Sequence, residues 1–188
     1  LYAAAGGTSM SGQSFAARIV DWRDEDGDLN QGGAEAAAYA DAGFAYGPSN
    51  MAFHSVEELR FLLGLSPRDF ERLEPFLTVF TGRAKVDPLS ASETVLRGIP
   101  GVRRRELQQL LRMRRTVQDR QRIASLMPDI AQYLLEESSG VYRVGVEVRL
   151  TNGFGDAIEA VIIAPQQEDS ADYQVVAWSR LASAARPQ

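Results

Sequence analysis

Between Asp21 and Glu35 the chain reads DWRDEDGDLNQGGAE, six carboxylates and one arginine in fifteen positions. Asp24, Asp26 and Asp28 alternate, and Glu35 follows Asp24 by eleven residues. That is the ligand spacing of an EF-hand loop, where oxygens from alternate positions turn toward one centre and calcium accepts about six to eight of them. The sharp-turn position holds Leu29 rather than glycine, while glycines sit at Gly27, Gly32 and Gly33. The segment is thus a calcium-type ligand run on a differently shaped loop. Two readings stay open. Either water solvates the acids on an Asp/Gly-rich turn, or a cation gathers Asp24, Asp26, Asp28 and Glu35, with Asn30 beside them. Magnesium fits less well, because it takes fewer carboxylates and keeps its waters. Asp21 and Trp22 read as cap and core rather than as ligand and catalyst.

A second stretch, VLRGIPGVRRRELQQLLRMRR, is similar to a helix-hairpin-helix, with eight arginines between Arg103 and Arg122 against Glu106 and Asp119. In nucleic-acid binders of that kind, hairpin amides and basic side chains hold phosphates. The competing reading is a tight helix connection whose arginines form a solvated face, their stems covering apolar surface. No aromatic residues interleave to stack bases.

Other chemistries are constrained by composition. The chain has no cysteine and a single histidine, His54. Thiolate catalysis, disulfides and cysteine-based metal sites are excluded, and a Ser–His–Asp triad or multi-histidine metal site has little or no room. An enzyme is not expected. The net charge of −5 gives no global attraction to nucleic acid or anionic membrane. No apolar run reaches the ~18 to 20 residues of a membrane span. Because the chain begins at Leu1 rather than Met, a fragment is expected, with an anchor or export signal removed.

The elements that must position these residues form two groups. Phe15, Ile19 and Trp22 share helical spacing and lead straight into the acidic loop. AEAAAYA allows about two further turns. Ser55 with Glu58 makes a capping box, and Ser66 followed by Pro67 starts another helix carrying Phe70, Leu73 and Leu77. A helix pair hinged at 98–101 follows, then a helical stretch interrupted at Pro128. From residue 140 the pattern changes. Tyr142, Val144, Val146, Val148 and Leu150 alternate with polar residues, TNGFGD is a turn signal, and AIEAVIIAP and YQVVAWSRL complete a three-stranded antiparallel meander. The expected class is α+β: a helical domain over 1–139 and antiparallel strands over 140–188.

Taken in order, ARIVDWRDEDGD, GAE, Tyr39, PSNMAFHSVEELRFLLGL, PFLTVF and VDPLSASETVLRGIPG resemble minor pseudopilin K of bacterial type II secretion, over roughly residues 15–101. VDPLSAS departs from the asparagine-rich run usual there. The resemblance implies a pilin-like protein whose small sheet carries an inserted helical domain, here without its N-terminal membrane helix. It implies a non-enzymatic subunit at the tip of the periplasmic pseudopilus, on the inner membrane, that helps initiate assembly and limit length during protein export. Minor pseudopilins I and J are the implied partners, secreted substrate proteins a further contact, and nucleic acid is not expected. A calcium ion at the acidic loop is implied as well, carried by position onto Asp24, Asp26, Asp28, Asn30 and Glu35 in a structural role. The alternative of another class is a nucleic-acid-binding module using the arginine-rich helix pair.

Overall fold

The computed structural model describes residues 1–152, 154–164 and 173–181. These fall into two compact units, one of residues 1–79 with 84–137, the other of 80–83 with the segment from 138 onward.

The first unit is helical. Helix α1 (Gly12–Arg23) starts where the Ser11 hydroxyl accepts the Ser14 amide at 3.0 Å, and it buries Phe15 and Trp22 on one side. After the acidic loop, α2 (Ala36–Asp41) makes the two short turns expected and buries Tyr39 completely. The Ser55 capping box is present, with Glu58 accepting the Ser55 amide at 3.0 Å, but the segment it opens is a 3-10 helix over Val56–Phe61. Gly64, at φ +74°, ends the stretch that follows by adopting a left-handed backbone that other residues avoid. Helix α3 (Pro67–Leu73) has Ser66 as N-cap, its hydroxyl accepting the Asp69 amide at 3.1 Å, and buries Phe70 and Leu73.

These helices enclose a core containing Tyr2, Phe15, Trp22, Tyr39, Leu62 and Phe70. The opening LYAAAGGTSMSG reads in sequence as a loop or frayed end. It is a turn segment that contributes Tyr2 to this core, stacked on Phe15 with ring centroids 4.6 Å apart.

A second core lies within the same unit. Helix α4 (Glu93–Arg97) and helix α5 (Arg104–Met113) meet through the tight connection at 98–103, where Gly101 takes φ +76°. Helix α6 (Arg120–Leu126) follows, and Leu96, Leu107, Leu110, Ile123 and Ile130 pack together. Val86 forms a parallel bridge to Leu134, tying the entry of this segment to its exit.

The second unit is a meander of β1 (Val141–Arg149), β2 (Gly155–Ile163) and β3 (Gln174–Leu181), in the order β1-β2-β3 with both pairings antiparallel. The alternation read in the sequence is obeyed. Val144 pairs with Ala160, and Ala160 with Trp178, so apolar residues share one face. That face is bare among the described residues: Trp178 is 73% exposed, and Tyr142 to Val148 on the same face between 40% and 52%. Among the described residues, no helix is long and apolar enough to cross a membrane. The α+β class is therefore the observed one.

Candidate functional site

The acidic loop leaves α1 at a closed end, since the Asp24 amide still donates to the Val20 carbonyl at 3.0 Å. It does not spread freely into solvent. Asp21, wholly buried in the last turn of α1, reaches across its base. One of its oxygens accepts the Ala34 amide at 2.7 Å, and the other accepts the Asn30 side-chain N–H at 2.5 Å. Asp21 is thus the internal cap of the loop, in keeping with its sequence assignment.

Two glycines let the chain return this closely. Gly32 has φ +86°. Gly33 lies so near Asp21 that a Cβ there would stand 1.9 Å from the carboxylate oxygen. Leu29, at the position where the EF-hand pattern wants glycine, is 65% exposed.

The proposed ligands divide into two sets. Asp24 and Glu35, at the two ends of the loop, are partly buried. One oxygen of each, Asp24 Oδ1 and Glu35 Oε1, is shielded from solvent and has no hydrogen-bond partner among the described residues. Burial pushes the Asp24 carboxyl above its ordinary range, with Asp26, Asp21 and Asp28 adding negative charge. Burial likewise raises Glu35, helped by Asp21, Asp24 and Asp26. Asp26 and Asp28 are exposed, and an Asp26 oxygen accepts the Asp28 amide at 2.9 Å. Asn30 is exposed and turns its amide N–H toward Asp21. Among the described residues, no group of three or more His, Asp or Glu side chains is assembled as a metal site.

The donor set nonetheless fits a hard cation. Two desolvated carboxylate oxygens without donors, in a field made more negative by three further acids, are the groups a cation would neutralise. Asp24 and Glu35 would supply the shielded oxygens, and Asp26, Asp28 and Asn30 stand on the connecting loop. What calcium would supply there is charge neutralisation and a fixed loop.

Residues 1–82 match the family model described as type II secretion system protein K. The first 82 residues are thus similar to protein K of type II secretion. The matched segment contains the whole acidic loop. No curated protein matches the chain. Among solved structures, the chain is similar to one from the GspK-GspI-GspJ complex of the enterotoxigenic Escherichia coli type 2 secretion system. The TM-score is 0.61 at 14% identity, covering 90% of this protein and 63% of that chain. At that identity the likeness shows the fold alone. The chain thus spans less than two thirds of the length of this structural relative. Neither comparison supports the nucleic-acid-binding alternative.

Two features of the first unit escape a reading by residue type. Asp69 sits at the third position of α3, where a carboxylate looks like an ordinary first-turn acid, yet it is wholly buried. One of its oxygens accepts the Tyr2 hydroxyl at 2.6 Å, the Thr8 amide at 2.7 Å and the Ser9 amide at 2.6 Å. The second is an aromatic group in which Phe44, Tyr46 and Phe61 pack ring to ring at 5.1 and 5.5 Å and continue inward to Tyr39. No regular spacing announces it, because its members come from a loop and a 3-10 helix.

Proposed function

We propose that this chain is a minor pseudopilin K and the tip subunit of the type II secretion pseudopilus. It helps to initiate assembly and to limit length, and it does so without catalysing a reaction. The reading rests on the match of residues 1–82 to the family. The helical unit supplies a physical reason for a limiting role: a bulky helical body at the tip would block stacking of another subunit above it. Minor pseudopilins I and J are the proposed partners, and the periplasmic face of the inner membrane is the proposed location. Secreted substrate proteins are a further proposed contact.

Calcium is proposed as a structural ion of the acidic loop, held by Asp24, Asp26, Asp28 and Glu35 with Asn30. The unpartnered buried oxygens of Asp24 and Glu35 support this reading. The deciding experiment on function is a co-purification of this chain with minor pseudopilins I and J of the same system, followed by length measurements of pseudopili in cells with and without the gene. Association together with longer or absent pseudopili in the deletion is the expected result. A chain that binds neither partner, and whose loss leaves assembly unchanged, would remove the reading.

A further inference from the structure

Residues 97–122 hold nine arginines against two carboxylates, Glu106 and Asp119, within a chain of net charge −5. Some of these arginines are occupied. Arg114 donates to the Ala91 carbonyl at 2.7 Å, and Arg120 grips Asp87. Arg103 pairs with Glu106 at 3.1 Å and Asp129 at 3.3 Å. Arg97, Arg104 and Arg105 have no ion pair among the described residues, although Arg97 donates to the Ala4 carbonyl at 3.4 Å. Instead they line two adjoining clefts at the α4–α5 connection, of about 360 Å³ and about 300 Å³, with Arg103 bordering both. Each cleft has an apolar floor: Val102 and Leu107 in one, Leu126, Met127 and Ile130 in the other. Glu93 lines the first, and Glu106 and Asp129 line the second.

We propose that this arginine-walled double cleft binds an extended acidic segment of a partner protein, with carboxylates on Arg97, Arg104 and Arg105 and an apolar side chain on the floor. Three observations favour a protein segment over other polyanions. The surface is concave, which suits a chain and not a flat bilayer. None of the lining residues is aromatic, so bases have no stacking platform. The amide at the start of α5 that a phosphate would approach is already taken, because the Arg103 N–H donates to Glu106 at 2.8 Å. The site's own carboxylates therefore display the chemistry it recognises: guanidinium forks and a helix-start amide closing on carboxylate oxygens. This inference is independent of the pseudopilus reading and of calcium.

The test is fluorescence anisotropy of the chain with a labelled acidic peptide in which Glu and Asp flank leucine. An oligonucleotide of equal net charge and anionic vesicles serve as competing probes. The variant is R104E/R105E; both residues are exposed at the start of α5, where negative charge suits the helix dipole. A circular dichroism melt confirms that the variant is folded. A second variant, Leu126→Ser, removes part of the floor without touching charge. The expected result is binding of the peptide that weakens with added salt, by tenfold or more in the double variant, and measurably in Leu126→Ser. Absence of peptide binding, or equal binding by the double variant, overturns the proposal. Tighter binding of the oligonucleotide or the vesicles, lost in the same variant, also overturns it.

Discussion

The Tyr2 hydroxyl donates to Asp69 at 2.6 Å across 67 residues of sequence. The same oxygen accepts two amides, from Thr8 and Ser9, and the Ser9 hydroxyl at 2.7 Å. The N-terminal segment is thereby locked to α3 by one buried carboxylate. The Tyr2 bond and the other donors outweigh burial and hold this carboxyl far below the usual range.

Asp69→Asn should therefore destabilise the first unit by about 3 kcal/mol, since several buried donors lose a charged acceptor. The pH dependence has a defined sign. A depressed folded value means that the carboxylate's contribution is complete above the unfolded value and declines as pH falls below it. Urea unfolding should show a gap between wild type and variant that is constant near neutrality and narrows in acid. A gap that is absent, or that widens in acid, would dismiss the lock.

Gly33→Ala tests the return of the acidic loop. The added methyl would lie 1.9 Å from the Asp21 oxygen that accepts the Ala34 amide. Either the loop or the buried aspartate must move, and a loss of about 2 to 4 kcal/mol is expected from that strain. Gly27→Ala is the control, because nothing stands within 4 Å of its Cβ position. Thermal melts in which both variants behave alike would show that the close approach does not matter.

Calcium and protons should compete for Asp24 and Glu35. Both carboxyls are raised, first by burial and then by neighbouring acids. In chelator, the folded state therefore holds their protons more tightly than the unfolded state, and stability should rise as pH falls from neutrality through the raised values. With calcium at a hundredfold excess over its dissociation constant, stability should instead gain about 2.7 kcal/mol near neutrality. That gain should shrink as acid protonates the ligands. In the variant Glu35→Gln the chelator melt should lose part of its pH dependence, and the calcium response should vanish. Melts indifferent to calcium at every pH would return the loop to a solvated turn.

The sequence was legible where local chemistry decides the outcome. Ser66 and Pro67 start α3 because the cap and the fixed proline φ need no distant partner. The alternation from Tyr142 to Val148 sorts one strand's faces directly, and the meander follows from it. The acidic loop was visible as a ligand run, but its closure was not. That closure depends on Asp21 reaching Ala34, thirteen residues on, and on a glycine whose importance is the absence of a side chain. Asp69 was hidden for the same reason. Its donors come from Tyr2, Thr8 and Ser9, some sixty residues earlier, so only tertiary packing distinguishes it from a solvent-facing acid.

The second core of the helical unit depends on a comparable long-range pair. Arg120 donates to Asp87 through two nitrogens, at 3.0 and 2.9 Å, and Asp87 also accepts the Leu89 amide at 3.0 Å. Burial opposes the charge on Asp87, yet the Arg120 hydrogen bond and the Leu89 amide leave its carboxyl below the usual range. The fork therefore overcomes the desolvation it suffers, and it fastens the segment beside the Val86–Leu134 bridge to the start of α6. A double-mutant cycle with Asp87→Asn and Arg120→Gln should return a coupling of about 1 to 2 kcal/mol, the range for a charge-assisted pair with good geometry. Because Asp87 is depressed, its contribution should be complete near neutrality and fall away in acid, so the coupling measured well below the unfolded aspartate value should be smaller. A coupling near zero at neutral pH would assign the stability of this core to its apolar contacts alone.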